Sequence, residues 1–396
     1  MLRRARNTLG GLVALGARSA PGESPHRHAR PVPGFGGGGG RGARRKHAAP
    51  SAAAVGAAGW APGPWGARAA PGPGLAPGRV PSDRRAGGWA SRAAVVPRRA
   101  AASSAPGAAP PRAPVQVIVD FDETITERDS TAVLGQLAAQ WAAEEGGPRC
   151  RDAARAEWDA VVSRFAAECR AHSAADPVPP RGAGMAAVRA WFDRHDAFDR
   201  RMADAVSASR ALAGMTLPFV REHGPPLVAV REGAAPALRR LAIRPGTRVA
   251  VVSVHFSAAL VSATLASEGV AAEAVGAPAH GRAGTVAVLA NELETDSAGA
   301  ATGAVLPRVH SAIDKADAVR ALARSAGPAG AGATVYVGDS PTDFLAMAES
   351  DWAVVVGDSA SLRGLLEAAR DPELEARFRW VPDWAGVSRV LDEILD

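Results

Sequence analysis

The clearest periodic signal begins at Val115, where VQVIV is a short, apolar, mostly β-branched run ending on an acid. That pattern predicts a buried parallel strand over Val115–Val119. A helix follows over Thr131–Glu144, with Asp129 or Ser130 available to cap it. From about 149 to 215 apolar residues recur at helical spacing (Trp158, Val161, Val162, Phe165, then Val188, Trp191, Phe192, Phe198, Met202), which predicts a helical bundle. A helix over Gly233–Leu241 leads to a second strand, Thr247–Ser253.

Strand and helix then alternate. Helices are expected near Ser257–Glu268, from Asp314, over Thr342–Glu349, Ser361–Arg370 and Trp384–Leu395. Strands are expected near Thr285–Ala290, Thr334–Val337 and Ala353–Val356. This alternation predicts an α/β fold: a Rossmann-like parallel sheet with helices on both faces. The helical block after the first strand is then an insertion, and ligands belong at the carboxyl ends of the strands.

Composition separates the first 113 residues from the rest. They are Ala, Gly, Pro, Ser and Arg almost throughout, too poor in apolar surface to offset the entropy of ordering, so a disordered tail is expected. Met1–Ala20 has Arg3, Arg4, Arg6 and Arg18 and no acid, which suits a mitochondrial transit peptide; a generic leader or an overlong gene model fits as well. The expected compartment is the cytoplasm, or mitochondria if that segment is a targeting signal. Positions 1–113 hold 18 basic residues against Glu23 and Asp83, a net of +16, and the remainder carries 28 basic and 38 acidic residues, a net of −10. The overall +6 therefore averages a basic tail and an acidic domain, and does not require nucleic acid as a partner. The cluster Arg44-Arg45-Lys46 reads as a solvated charge run. Two cysteines, Cys150 and Cys169, make neither a disulfide framework nor a zinc cluster, and no uninterrupted apolar run is long enough to span a membrane.

The candidate chemistry starts at Asp120-Phe121-Asp122-Glu123-Thr124, directly after the first strand. Alternating side-chain directions send Asp120 and Asp122 to one side. Carboxylates that close repel unless one is protonated or a cation lies between them. A nucleophile with a general acid/base beside it needs such a pair. A turn or helix-capping role fits Asp129 well, but Asp120 poorly, because an acid at the end of a β-branched run is costly unless paired or metal-bound.

DFDETIT after a hydrophobic strand resembles the DxDx(T/V) opening of the haloacid dehalogenase superfamily, and three further stations follow in that family's order. Ser253, ending VAVVS, resembles the second motif, a hydroxyl that binds phosphoryl oxygens. Lys315 in IDKADAV resembles the third, and Gly338-Asp339-Ser340-Pro341-Thr342-Asp343 after TVYV resembles the GDxxxD of the fourth. The resemblance implies Asp120 as nucleophile and Asp122 as acid/base. It implies a Mg²⁺ site from Asp120, the main-chain carbonyl of Asp122, and Asp339, with Asp343 supporting it. An oxygen-only ligand set suits Mg²⁺. The chain has only two lysines, Lys46 and Lys315, so a compact ammonium at 315 stands out where Arg is used almost everywhere else.

Roughly 125 residues separate the first and second motifs. This insertion, about 130–230, resembles the helical cap of the phosphoserine-phosphatase-like branch, within a domain spanning 114–396. The stretches VSVHFS, ANELE and VYVGDSPTDF are similar to a group of uncharacterised fungal phosphatase-like proteins. Glu123 and VSVHF depart from phosphoserine phosphatase itself, so the implied substrate is a small phosphorylated metabolite rather than phosphoserine in particular. His255 could contact the leaving group or be structural, and Asn291 could lie at the catalytic rim or end a strand. A silent scaffold of the same fold, phosphotransfer and dehalogenation are the alternatives. Asp122 speaks against the last. Oligomeric state is not legible.

Overall fold

The computed structural model describes residues 114–144, 150–325 and 332–396. The expectations for residues 1–113, including disorder, targeting and the Arg44–Lys46 run, lie outside the described residues.

Seven strands form one parallel sheet: β1 (Val115–Val119), β2 (Thr247–Val252), β3 (Ala272–Ala274), β4 (Val286–Leu289), β7 (Thr334–Gly338), β8 (Trp352–Val356) and β9 (Phe378–Val381), in the order β3-β4-β2-β1-β7-β8-β9. Between them in sequence, β5 (Glu292–Thr295) and β6 (Ala301–Leu306) make a separate antiparallel hairpin. The near-continuous Val runs place apolar side chains on both faces of the sheet. Val117, Val119, Val249, Val251, Val286, Val288, Val335, Val337, Val354 and Val356 enter one core, while Ile118, Ala250, Val252, Ala287, Leu289, Tyr336, Ala353 and Val355 enter the other. This is the period-two alternation of a strand buried on both sides.

The first core is covered by α5 (Ala234–Ile243), α6 (Ala258–Ser267) and α11 (Trp384–Leu395). The second is covered by α7 (Ala312–Ser325), α8 (Phe344–Glu349), α9 (Ala360–Ala369) and the first half of α3 (Met185–Ser209). The segment between β1 and β2 also contains α1 (Thr131–Glu144), α2 (Arg151–Ala175) and α4 (Leu217–His223). Its own apolar cluster joins Leu134, Leu137, Trp158, Leu212, Met215 and Val220 to Leu260 and to Leu293 and Val305 of the hairpin.

The expected α/β architecture is therefore observed, and the bounds of β1, α1 and α11 match the reading from sequence. Three differences have physical reasons. The helical block is not a bundle apart from the sheet, because Val188, Trp191 and Phe192 of α3 pack on the second core. The helix expected over Thr342–Glu349 begins as a 3-10 turn, Pro341–Asp343, capped by Ser340. The elements β3, β5, β6, β9 and α10 (Pro372–Arg377) carry no expectation, since they are three to six residues long and lack a distinct apolar period.

α1 and α2 cross at Gly135, where a Cβ would stand 2.0 Å from the ring of buried Trp158. Alanine at this helical position would gain about 1 kcal/mol in helix propensity. Overpacking a filled core costs about 1–3 kcal/mol and outweighs it. Gly135→Ala should therefore lower stability by up to about 2 kcal/mol in urea unfolding; a stabilised variant would mean that Trp158 yields freely.

Candidate active site

The register of the sheet builds the site. β1 is paired with β2 on one side (Val119 with Val251) and β7 on the other (Val119 with Val337), and Asp120 N donates to Val337 O at 2.9 Å. Each one residue past the end of its own strand, Asp120, Ser253 and Asp339 follow β1, β2 and β7 at their carboxyl ends. The order of the strands reverses direction between β1 and β7, the crevice where open parallel sheets bind ligands.

Lys315, near the start of α7, lies between two of the acids. Its Nζ is 2.8 Å from Asp120 Oδ1 and 2.8 Å from Asp343 Oδ1, and the side chain is fully buried. Carboxylate oxygens of Asp120, Asp339 and Asp343 all lie within 4.8 Å of one another. The three residues are 4%, 9% and 0% exposed, so little water screens them. One ammonium among three carboxylates leaves negative charge uncompensated. Burial, and then the Asp343 charge, push Asp120 up to about 7 despite Lys315. Asp339 is raised for the same two reasons, and Lys315 is held above its ordinary range by Asp120 and Asp343 against its own burial.

Asp343 differs from the other two in having its oxygens filled by protein donors. Oδ1 accepts from Lys315 and, at 2.8 Å, from the hydroxyl of Tyr336, while Oδ2 accepts from Asp339 N, Ser340 N and Ser340 Oγ at 3.0–3.1 Å. It fastens the turn after β7 and holds Lys315. Gly338 is required there, because a Cβ would stand 2.6 Å from the Asp343 carboxyl. Asp339 Oδ1 accepts from Thr124 Oγ1 at 2.8 Å. An anionic, oxygen-only donor set of this kind, with Asp120 and Asp339 as its less engaged members, fits a hard divalent cation such as Mg²⁺.

Asp122 is partly exposed at the mouth of the site. Its Oδ1 accepts from Ser130 N at 2.8 Å and Ser130 Oγ at 2.5 Å. Desolvation, then the charge of Asp129, push it up to about 7, against the Ser130 bonds. The loop between them is strained at Glu123, a non-glycine residue at φ +57°. Arg231 holds it with bonds to the carbonyls of Glu123 and Thr126, and Trp384 Nε1 donates to Thr124 O at 2.8 Å.

Ser253 is buried, and its Oγ accepts from His255 N at 3.1 Å. His255 is itself buried, with Nδ1 accepting from Ser257 N at 3.0 Å and Nε2 without a hydrogen-bond partner among the described residues. Asn291 uses all its bonding capacity: Nδ2 donates to Val254 O and Val309 O, and Oδ1 accepts from Arg308 N and Val309 N. It straps the loop after β2 to the approach to α7. Glu292, unremarked in the sequence, caps α6 through Ser257 Oγ and Ala259 N. Tyr336 and Arg231 were also missed, and Thr124 and Ser130 were noted only as a motif position and a helix cap, not for their bonds to Asp339 and Asp122. Of the two missed residues, Tyr336 carried a signal, as the sole tyrosine of the chain.

No curated protein sequence matches the chain. Among solved structures, a phosphoserine phosphatase described as a phospho-aspartyl intermediate analogue is 16% identical with a TM-score of 0.41, covering 72% of this chain and all of that one. A substrate-bound phosphoserine phosphatase complex is 17% identical with a TM-score of 0.43, over the same shares. A probable phosphoserine phosphatase from Vibrio cholerae is 20% identical with a TM-score of 0.38, covering 71% of this chain and 64% of that one. The family model of the haloacid dehalogenase-like hydrolases matches residues 117–348, from within β1 to within α8. That span contains Asp120, Asp122, Ser253, Lys315, Asp339 and Asp343 and is more than half of the chain, which belongs to the haloacid dehalogenase-like hydrolases.

Proposed function

We propose that this hydrolase is a Mg²⁺-dependent phosphatase that cleaves a small phosphomonoester through an aspartyl phosphate on Asp120. The observation that carries the reading is the buried group of Asp120, Asp339 and Asp343 around the single ammonium of Lys315. Such a group is short of positive charge, and a divalent ion with an anionic substrate restores the balance.

Lys315 fixes Asp120 Oδ1, which leaves Oδ2 to attack phosphorus. The new O–P bond forms as the P–O bond to the leaving group breaks, and Asp122 gives its proton to the departing alkoxide. Asp122, now a carboxylate, takes a proton from water as that water attacks phosphorus. The Asp120–phosphate bond breaks, releasing inorganic phosphate and regenerating both acids. A group near 7 serves both steps, since each protonation state is accessible at neutral pH. Ser130 orients the Asp122 carboxyl for this exchange. Mg²⁺, held by Asp120, Asp339 and the main-chain carbonyl of Asp122, would supply charge neutralisation and orient the phosphoryl oxygens. Ser253 and Lys315 are assigned to the remaining phosphoryl oxygens, and Asp343 to holding Lys315. The helical segment of about 130–230 is assigned the role of a cap that limits access to a small metabolite and excludes water.

The full chain should hydrolyse p-nitrophenyl phosphate with Mg²⁺, and Asp120→Asn should abolish turnover while Asp122→Asn lowers kcat by about 10²–10⁴. A wild-type rate in Asp120→Asn would remove the nucleophile, and an inactive wild-type chain on a broad panel of phosphomonoesters would favour the scaffold alternative.

Cation binding should also be coupled to protons. Below about 7 the free Asp120 carries a proton that a bound cation must displace, so Mg²⁺ affinity should fall as pH drops from 8 to 6 and level off above 7. Calorimetry in buffers of different ionisation heat should detect proton release at pH 6, from Asp120 and from Asp339, which is raised as well. No release there would contradict a cation on Asp120.

A further inference from the structure

Far along the chain from the four motifs, the crossing of α2 and α3 gathers His172, Asp176 and His195. One ligand atom from each lies within 4.8 Å of the others. His172 lies in the last turn of α2, Asp176 caps the end of that helix with its N–H bonded back to His172 O, and His195 comes from α3. We propose that these three residues form a second metal site, for a borderline cation such as Zn²⁺, that pins α2 to α3.

Three observations support this. His172 Nε2 is buried and has no hydrogen-bond partner among the described residues, an unmet cost that a ligated ion would remove. His195 Nδ1 lies 2.9 Å from Trp191 O, the kind of backbone bond that fixes the tautomer of a metal-bound imidazole and leaves Nε2 as its ligand atom, and its ring is held 3.9 Å from that of Trp191. The Asp176 carboxylate is fixed by Arg194, whose Nε and guanidinium NH2 reach Oδ2 and Oδ1 at 2.8 and 2.9 Å. Each of those oxygens keeps a further lone pair, so Arg194 acts as the outer partner that orients the ligand.

Two nitrogens and one oxygen select zinc-like ions over Mg²⁺. The reason for a pin is local. The apolar cluster beside the group consists of Cys169, Phe198 and Met202, with Phe165 partly buried against it, little core for two helices of 25 residues.

The test is Zn²⁺ titration of the metal-stripped full chain in saturating Mg²⁺, followed by calorimetry and thermal melting. One equivalent of Zn²⁺ should bind and raise Tm. His172→Gln and His195→Gln should each weaken binding by at least about 100-fold, the upper end of what losing an outer partner costs, and should lose the rise in Tm. Asp339→Asn, which alters the other acid group, should bind Zn²⁺ as the wild type does. Wild-type affinity in both histidine variants, or no Zn²⁺ uptake by the wild type, would overturn the proposal. If neither variant folds, the Co²⁺ spectrum of the wild type decides. Intense tetrahedral bands support a nitrogen-containing site, and only the pale spectrum of six oxygens refutes it.

Discussion

Everything in the catalytic crevice is arranged around one buried ammonium. Lys315 sits between Asp120 and Asp343 with no solvent to share its charge. A buried ion pair contributes little net stability over an apolar replacement, but removing one partner leaves uncompensated charge at a cost on the order of 3–5 kcal/mol. Lys315 is thus fixed by electrostatics as firmly as by packing. Because three carboxylates face one ammonium, the pocket is short of positive charge.

The surroundings hold this unfavourable arrangement in place. Asp343 is saturated with donors from Lys315, Tyr336 and the turn after β7, so it cannot turn away. The strained loop carrying Asp122 is anchored by Arg231 and by the indole of Trp384. Backbone strain of this kind costs about 1–3 kcal/mol and persists only where neighbours over-determine it. Asn291 ties the loop after β2 to the approach to α7, so Ser253 and Lys315 are positioned by a common strap.

The helical segment between β1 and β2 has a dual attachment. The first half of α3 lies on the second core of the sheet, while α1, α2 and the end of α3 form an apolar cluster with the β5–β6 hairpin. Ser311 Oγ donates to Asp196 of α3, and Arg200 of α3 pairs with Asp314 at 2.9 Å, so this segment also touches the residues flanking Lys315.

Amino-acid order alone determined the sheet, because runs such as VQVIV, VAVV and TVYV can only be buried on both sides, and it determined which acids stand at strand ends. It also marked Lys315, since a single lysine in an arginine-rich domain is conspicuous without any coordinates. What the tertiary structure decided is how the charges are shared. That Asp343 serves Lys315 and a turn, that Asn291 is a strap and that His255 is buried depend on partners up to 37 residues away and on other elements. Hydrogen-bond saturation and desolvation are sums over neighbours brought together by folding, and no local pattern encodes them. The short strands and the hairpin were illegible for a related reason: three to six residues are too few to show a period, and they acquire strand geometry from the surfaces they pack against.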